Sequence, residues 1–201
     1  MSLDNFFNIQ SKTPENIKLS NNSSILFYRL TDLQKSDDSI NFEKIFQSIP
    51  WVQPVVAMYG KTFKPKRQVA TMGKPYNYNG NNSKKETPIP KIIQTIMNKV
   101  NDITKKDYNT CIANYYPNGE AYICMHDDGE ENSESIASVS FGATRKFVVQ
   151  NKSTKEKHFI ELKDLDIIVM EGNKFQRDYL HGIPKQVKVK EPRISLTFRN
   201  Y

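Results

Sequence analysis

The sequence predicts a mainly β protein of the α+β class, with helices packed on one side of an antiparallel sandwich or barrel. Two stretches with helical spacing of apolar residues lie in the first half of the chain, and short alternating stretches follow from Tyr108 to the end. Helices followed by a run of strands favour segregated layers over an alternating α/β arrangement. The length of 201 residues fits one domain, and no internal repeat is visible.

Two amphipathic helices and two strands are predicted in the first half of the chain. Asn41 is a suitable N-cap for a helix over FEKIFQSI, in which apolar residues recur at helical spacing. A second helix is predicted over PKIIQTIMNKV. Its apolar stripe consists of Ile92, Ile93, Ile96, Met97 and Val100. Strands are predicted over SILFYRL, which starts at Ser24, and over VVAMYGK.

The second half of the chain is predicted to form strands joined by turns. Their sequences are CIANYY, AYICMH, SIASVSF, RKFVVQ, HFIELK, DIIVM and RISLTFR. We expect residues 1–23, which are polar from residue 8 on, to form a flexible segment ahead of a domain at 24–201.

Composition and charge favour an intracellular protein with an anionic partner. The formal net charge is +7 and the isoelectric point is about 9.2, which favours polyanions such as nucleic acid. The two cysteines, Cys111 and Cys124, have no metal-motif spacing and make no disulfide framework, so we expect a reducing compartment. We expect no signal peptide, no membrane span and a monomeric protein.

The last predicted strand has an unusual polar face. In PRISLTFRN, Ile194, Leu196 and Phe198 share one face. The other face carries Arg193, Ser195, Thr197 and Arg199. This polar face either is exposed to solvent, as most charged residues are, or binds an anionic ligand inside a barrel.

Three polar residues upstream of this strand can form a metal site. His126 and Asp128 point to the same side of an extended chain, and His181 lies far downstream. Two imidazoles and one carboxylate form a facial triad that leaves positions on iron(II) open for a bidentate co-substrate and oxygen. A dicarboxylate such as 2-oxoglutarate also needs a cationic clamp, which Arg193 can supply through a bidentate guanidinium.

Several motifs together resemble those of the AlkB family. They are Asn114-Tyr115-Tyr116, the H-x-D at His126 to Asp128, the SIASVSFG run ending at Gly142, His181, and R-x-x-x-x-x-R from Arg193 to Arg199. AlkB enzymes are iron(II)- and 2-oxoglutarate-dependent dioxygenases that remove alkyl groups from nucleic-acid bases. The resemblance runs from about residue 55 to 201 and is strongest to the vertebrate-type DNA-repair members. It implies a double-stranded β-helix, or jelly roll, with the N-terminal helices packed on one side.

The resemblance also implies a role for individual residues. The implied iron ligands are His126, Asp128 and His181. Binding of 2-oxoglutarate is implied for Asn114, Tyr116, Arg193, Ser195, Thr197 and Arg199. Target recognition is implied for the hairpin residues Tyr59, Gly60 and Lys61, for Arg67, Tyr76 and Tyr78 in a lid at about 55–87, and for Gly129.

The sequence departs from the family pattern at three positions. Ser195 stands where asparagine is frequent, which removes an amide contact to the co-substrate pocket. Gly129 replaces an acidic residue that contacts the target base, which puts base preference in doubt. Leu165 stands where glycine is common, and the sequence alone offers no physical account of that change.

The segment predicted to contact the substrate has the composition of a nucleic-acid-binding surface. The segment 59–87 combines aromatic residues, which stack on bases, with lysines and an arginine, which track phosphates. An alkylated pairing edge is hidden in a duplex, so the base must be flipped out or presented in a single strand. The resemblance implies removal of methyl groups from 1-methyladenine and 3-methylcytosine in DNA, with RNA as an alternative, and release of formaldehyde, succinate and carbon dioxide.

Other functions remain open from the sequence. The same iron chemistry can act on tRNA or on a protein, the fold can serve as an inactive nucleic-acid-binding protein, and the same ligands can hold a hydrolytic zinc ion. The N-terminal residues Leu3, Phe6 and Phe7 have the spacing of the hydrophobic plug of a sliding-clamp-binding peptide, although the usual preceding glutamine is lacking.

Overall fold

The computed structural model of the protein describes residues 14–29, 40–58, 61–74, 76–78, 81–83, 86–129 and 135–201. The helices are α1 (Phe42–Ser48), α2 (Lys91–Thr104) and the short α3 (Phe175–Asp178). The strands are β1 (Glu15–Ser20), β2 (Ser23–Arg29), β3 (Val56–Met58), β4 (Lys61–Phe63), β5 (Gln68–Gly73), β6 (Tyr76–Tyr78), β7 (Asn81–Ser83), β8 (Thr110–Tyr116), β9 (Ile123–His126), β10 (Ser135–Gly142), β11 (Arg145–Asn151), β12 (Lys157–Leu162), β13 (Asp166–Glu171), β14 (Tyr179–Ile183) and β15 (Arg193–Arg199).

Two antiparallel sheets form the body of the protein. The larger sheet has the order β1-β2-β13-β10-β15-β8-β5, and the smaller sheet has the order β12-β11-β14-β9. From β8 onward the chain passes back and forth between the two sheets, except at the hairpin β11-β12 within the smaller sheet, which is the connectivity of a jelly roll. Two small hairpins, β3-β4 and β6-β7, lie in the segment predicted to form the lid. The predicted fold class is therefore confirmed.

Helices α1 and α2 pack on one face of the larger sheet. On β15, Ile194, Leu196 and Phe198 are fully buried on that face, together with Ile93 and Ile96 of α2. Each such side chain contributes about 1.5–3 kcal/mol by leaving water. The Asn41 side chain accepts a hydrogen bond from the Lys44 amide, so the predicted N-cap of α1 is confirmed.

A second apolar cluster lies between the two sheets. Ile136 of β10 and Ile168 of β13, from the larger sheet, belong to the same cluster as Phe147 and Val149 of the smaller sheet. Because side chains alternate along a strand, the polar residues of β15 face this inter-sheet space while its apolar residues face the helices. The space between the sheets thus holds both an apolar core and a polar site.

The structure shows two strands that were not among those predicted, one near the N-terminus and one around His181. Residues 15–20 form the edge strand β1, in which Ile17 and Leu19 pack on the inter-sheet cluster. The strand β14 was not predicted, because its YLHGI sequence is short and lacks polar alternation. No helix among the described residues is long and apolar enough to cross a membrane.

Candidate metal centre and carboxylate pocket

The structure brings His126, Asp128 and His181 together. His126 on β9 pairs in register with His181 on β14, and their ring centroids are 4.4 Å apart. Asp128 lies two residues beyond His126, and its carboxylate oxygens lie 3.7 Å from Nε2 of His126 and 3.5 Å from Nε2 of His181. All candidate ligand atoms lie within 4.8 Å of one another. A single metal ion can contact all three side chains.

Each of the two imidazoles has a feature that suits metal binding. Nδ1 of His126 lies 2.8 Å from the Cys124 carbonyl oxygen. A carbonyl only accepts hydrogen bonds, so Nδ1 donates, and the neutral tautomer with this hydrogen bond has its lone pair on Nε2. Burial lowers the pKa of His181 to about 4, which keeps this imidazole neutral near pH 7.

Asp128 completes the site as a buried, ionised carboxylate. Burial on its own raises the pKa of Asp128, but the neighbouring Arg199, His181 and His126 bring the pKa below its ordinary value. Oδ2 of Asp128 is buried and accepts no hydrogen bond from the described part of the chain. A buried anionic oxygen of this kind fits a metal ion, and two imidazoles with one carboxylate form the donor set typical of non-haem iron(II).

Two residues that the sequence analysis missed hold the loop of Asp128 in place. The Asp128 amide donates to the side-chain oxygen of the buried Gln176, 3.0 Å away. The Lys152 ammonium donates to the Asp127 carboxylate at 2.7 Å and to the Gln176 carbonyl at 2.9 Å. Gln176 lies only five residues before His181, which is the one signal in the sequence that could have drawn attention to it.

The polar face of β15 meets the smaller sheet instead of solvent, so the solvent interpretation of its arginines is wrong. Arg193 and Arg199 are 1% and 4% exposed. Ser195 is also buried, with its Oγ 2.9 Å from Oγ of Ser138, whereas Thr197 is half-buried. Arg199 reaches the metal site, where its Nη2 lies 2.7 Å from Oδ1 of Asp128.

Arg193, on the same face of β15 as Arg199, has buried donors that fit a carboxylate. Its register partner on β8 is the buried Tyr116, and Asn114 is the register partner of Ser195. One guanidinium nitrogen of Arg193 donates to Ser140 at 2.9 Å, while Nε and Nη1 are buried and have no partner in the described residues. Burial lowers the pKa of Arg193 to about 10, so it remains a cation near pH 7. Its free donors match a bidentate anion.

The predicted lid residues divide into three groups. Arg67 donates to the Asn114 side-chain oxygen, so it reaches the carboxylate pocket itself. Tyr76 and Tyr78 lie on β6, and Lys61 begins β4. Tyr59 and Gly60, together with Leu3, Phe6 and Phe7, lie outside the described residues.

Two departures from the family pattern have a backbone explanation. Leu165 has a φ of +65°, in the left-handed region where glycine is favoured, which explains why glycine is common at this position. Gly129 also has a φ of +65°, and its amide donates to the Asp127 side chain, closing a tight turn after the metal-site residues.

Comparisons with known proteins identify similar proteins whose names fit the chemistry of this site. The model of the 2OG-Fe(II) oxygenase superfamily matches residues 30–199. The human alpha-ketoglutarate-dependent dioxygenase alkB homolog 3 is 29% identical over 187 residues, covering 87% of this chain and 64% of that protein. The Bos taurus DNA oxidative demethylase ALKBH2 is 31% identical over 157 residues, covering 72% of this chain and 56% of that protein. The chain thus spans less than two thirds of the length of both relatives.

A solved structure supports the architecture. The structure of OsALKBH1 matches with a TM-score of 0.58 and 19% sequence identity, over 87% of this chain and 97% of that one. At this identity the likeness shows the shared fold.

Proposed function

The chain belongs to the AlkB family within the 2OG-Fe(II) oxygenase superfamily, and from this membership we propose that it is an oxidative demethylase of N-alkylated bases in DNA. The observation that carries the proposal is the cluster of two imidazoles and one buried, ionised carboxylate, together with the buried Arg193, whose guanidinium has donors without a partner in the described residues. The names of the similar proteins, a dioxygenase and a DNA oxidative demethylase, support the same chemistry.

The residues of the site have distinct tasks in this proposal. His126, Asp128 and His181 would hold iron(II), which with 2-oxoglutarate and O₂ supplies the oxidation of an N-linked methyl group that is then lost as formaldehyde, with succinate and carbon dioxide as co-products. Arg193 would bind the distal carboxylate of 2-oxoglutarate. Asn114, Tyr116, Ser195 and Thr197 would line the same pocket. Arg199 keeps Asp128 ionised and fixed in orientation through their 2.7 Å ion pair.

The surface around the lid segment supports a nucleic-acid substrate. Phe63 at the end of β4 is 42% exposed, and Lys64 next to it is exposed as well. Exposed aromatic and cationic side chains stack on bases and neutralise phosphates, in keeping with the formal net charge of +7. We assign base flipping and target contacts to Tyr59, Gly60 and Lys61, to Arg67, Tyr76 and Tyr78, and to Gly129.

The target lesions we propose are 1-methyladenine and 3-methylcytosine. DNA is favoured over RNA by the name of one relative, a DNA oxidative demethylase. We further propose that the protein is intracellular and monomeric. A separate proposal is that Leu3, Phe6 and Phe7 bind a sliding clamp.

The test uses purified protein with iron(II), ascorbate and 2-oxoglutarate, and oligonucleotides that carry one 3-methylcytosine. Matched DNA and RNA, single- and double-stranded, are analysed by mass spectrometry. We expect loss of the methyl group only when iron and 2-oxoglutarate are both present, and loss of this activity in His181→Ala but not in His158→Ala, a histidine outside the triad. Binding of these oligonucleotides without demethylation under any condition would instead indicate an inactive binding protein.

A further inference from the structure

Two buried arginines lie next to the same phenol ring in the carboxylate pocket. The Cζ atoms of Arg145 and Arg193 are 5.5 Å and 5.4 Å from the centroid of the Tyr116 ring. Both distances are within the range of a cation–π interaction. Arg145 is 1% exposed, as is Arg193, although Arg145 belongs to the smaller sheet and Arg193 to the larger one. Two cations therefore lie close to the Tyr116 ring.

The acceptors around Arg145 are all uncharged. Its guanidinium donates to the carbonyl oxygens of Asn118, Ala121 and Pro184, at 3.2, 2.9 and 2.8 Å, and Nε donates to the side chain of Gln186 at 3.3 Å. Within the described part of the chain, Arg145 and Arg193 take part in none of the ion pairs with carboxylates. Their two positive charges are thus buried without a counter-ion from the described residues.

A buried charge without a counter-ion is costly, and hydrogen bonds to carbonyls offset only part of the cost. Burial lowers the pKa of both guanidiniums, and the charge of Arg145 adds to the lowering at Arg193. If Arg145 only held two turns together, it would not need a charge, because neutral donors can form hydrogen bonds to the same carbonyl oxygens. The arrangement therefore indicates an anion that both cations stabilise.

We propose that Arg145 is a specificity-determining residue, which makes the pocket selective for an oxo acid with a second carboxylate. Arg193 contacts that carboxylate, and Arg145 acts from its position beside Tyr116, both by its charge and by holding the ring in place. This inference rests on 2-oxoglutarate being the co-substrate. It adds a residue on β11, outside the polar face of β15, to the features that decide which oxo acid binds.

The test compares two oxo acids that differ only in the group at the end of the chain away from the oxo acid, which is charged in one and uncharged in the other. The metal-loaded protein, with Mn(II) in place of iron, is titrated by calorimetry with 2-oxoglutarate and with 2-oxopentanoate, which has a methyl group in place of the second carboxylate. In Arg145→Gln we expect the affinity for 2-oxoglutarate to fall about tenfold, as for the loss of one nearby charge in a protein interior, while 2-oxopentanoate affinity stays within about twofold. Arg145→Lys, which keeps the charge, should retain most of the selectivity. If Arg145→Gln lost the same factor of affinity for both ligands, Arg145 would have a purely structural role and the proposal would be overturned.

A second variant tests the inference even if Arg145→Gln fails to fold. In Arg193→Met, Arg145 is the remaining cation beside Tyr116, so a residual preference for 2-oxoglutarate of a few-fold over 2-oxopentanoate is expected. Complete loss of the preference in Arg193→Met would overturn the role of Arg145 while leaving the demethylase proposal standing. If the unmodified protein bound neither oxo acid, the proposed function itself would fall, and this inference with it.

Discussion

Arg199 forms a 2.7 Å ion pair with Oδ1 of Asp128, and both side chains are buried. The pair joins the last strand of the larger sheet to the loop after β9, which belongs to the smaller sheet. Because Oδ2 of Asp128 accepts no hydrogen bond from the described residues, the arginine orients the carboxylate and leaves the second oxygen for a metal.

Replacement of Arg199 is expected to weaken metal binding. In Arg199→Met the buried Asp128 loses its cationic partner, which favours the neutral carboxyl group and disfavours metal coordination. We expect the affinity for Mn(II) to fall about 10- to 100-fold, as is usual when a partner of a metal ligand is removed. Calorimetry measures this directly. Arg199→Lys should lose less affinity, and Arg177→Met, at an exposed arginine of α3, should lose none; unchanged Mn(II) affinity in Arg199→Met would contradict the assigned role.

The contacts of Lys152 lead to a second prediction about the metal site. Lys152→Met removes the hydrogen bonds to Asp127 and to the Gln176 carbonyl, which together hold the metal-binding loop against α3. We expect about a tenfold loss of metal affinity, with little change in 2-oxoglutarate affinity once the metal site is saturated.

Lys157→Met, at an exposed lysine at the start of β12, is the matched control and should bind metal like the unmodified protein. If Lys152→Met and Lys157→Met behaved alike, the loop would not depend on this ammonium group.

The elements of this fold were predictable where amphipathic periodicity is strong. The helix over residues 91–104 and the strand β15 carry such patterns, and H-x-D with a distant histidine indicated the triad. The contacts of Gln176, Lys152 and Arg145 were not predictable, since they join residues far apart in sequence and depend on which strands pair. The exposure of the β15 arginines could not be decided from one strand either, because alternation separates two faces without showing what covers each one.

Tyr108 is expected to limit stability at alkaline pH. Burial raises its pKa to about 12, and its hydroxyl lies 2.7 Å from Oγ of Ser135. A folded-state pKa above the unfolded value of about 10 gives a contribution that is complete below pH 10 and is lost as the pH rises toward 12. The loss amounts to about 2–3 kcal/mol for this shift.

Urea unfolding of the unmodified protein and of Tyr108→Phe at pH 8 and pH 11 measures the effect. Tyr108→Phe should be less stable at pH 8, because Ser135 loses a partner, and should lose less stability between the two pH values. Tyr122→Phe, at a half-buried tyrosine, is the control. Parallel losses in the unmodified protein and in Tyr108→Phe would refute the prediction.

At Leu165 we expect the glycine variant to be more stable than the alanine variant, which is the reverse of the usual order. Its φ of +65° is strained for any residue with a Cβ, while its side chain is 8% exposed and packs in the core beside the helices. Leu165→Ala loses the packing and keeps the strain, whereas Leu165→Gly loses the packing and relieves the strain. Both variants should be destabilised, and the glycine variant should be the more stable of the two by about 1 kcal/mol. At the buried Ile96, in the interior of α2, the same pair of substitutions should give the opposite order, because glycine is unfavourable in a helix. Measurement of all four variants by urea unfolding compares the two sites, and an alanine variant at Leu165 more stable than its glycine counterpart would rule out backbone strain as the reason glycine is common there.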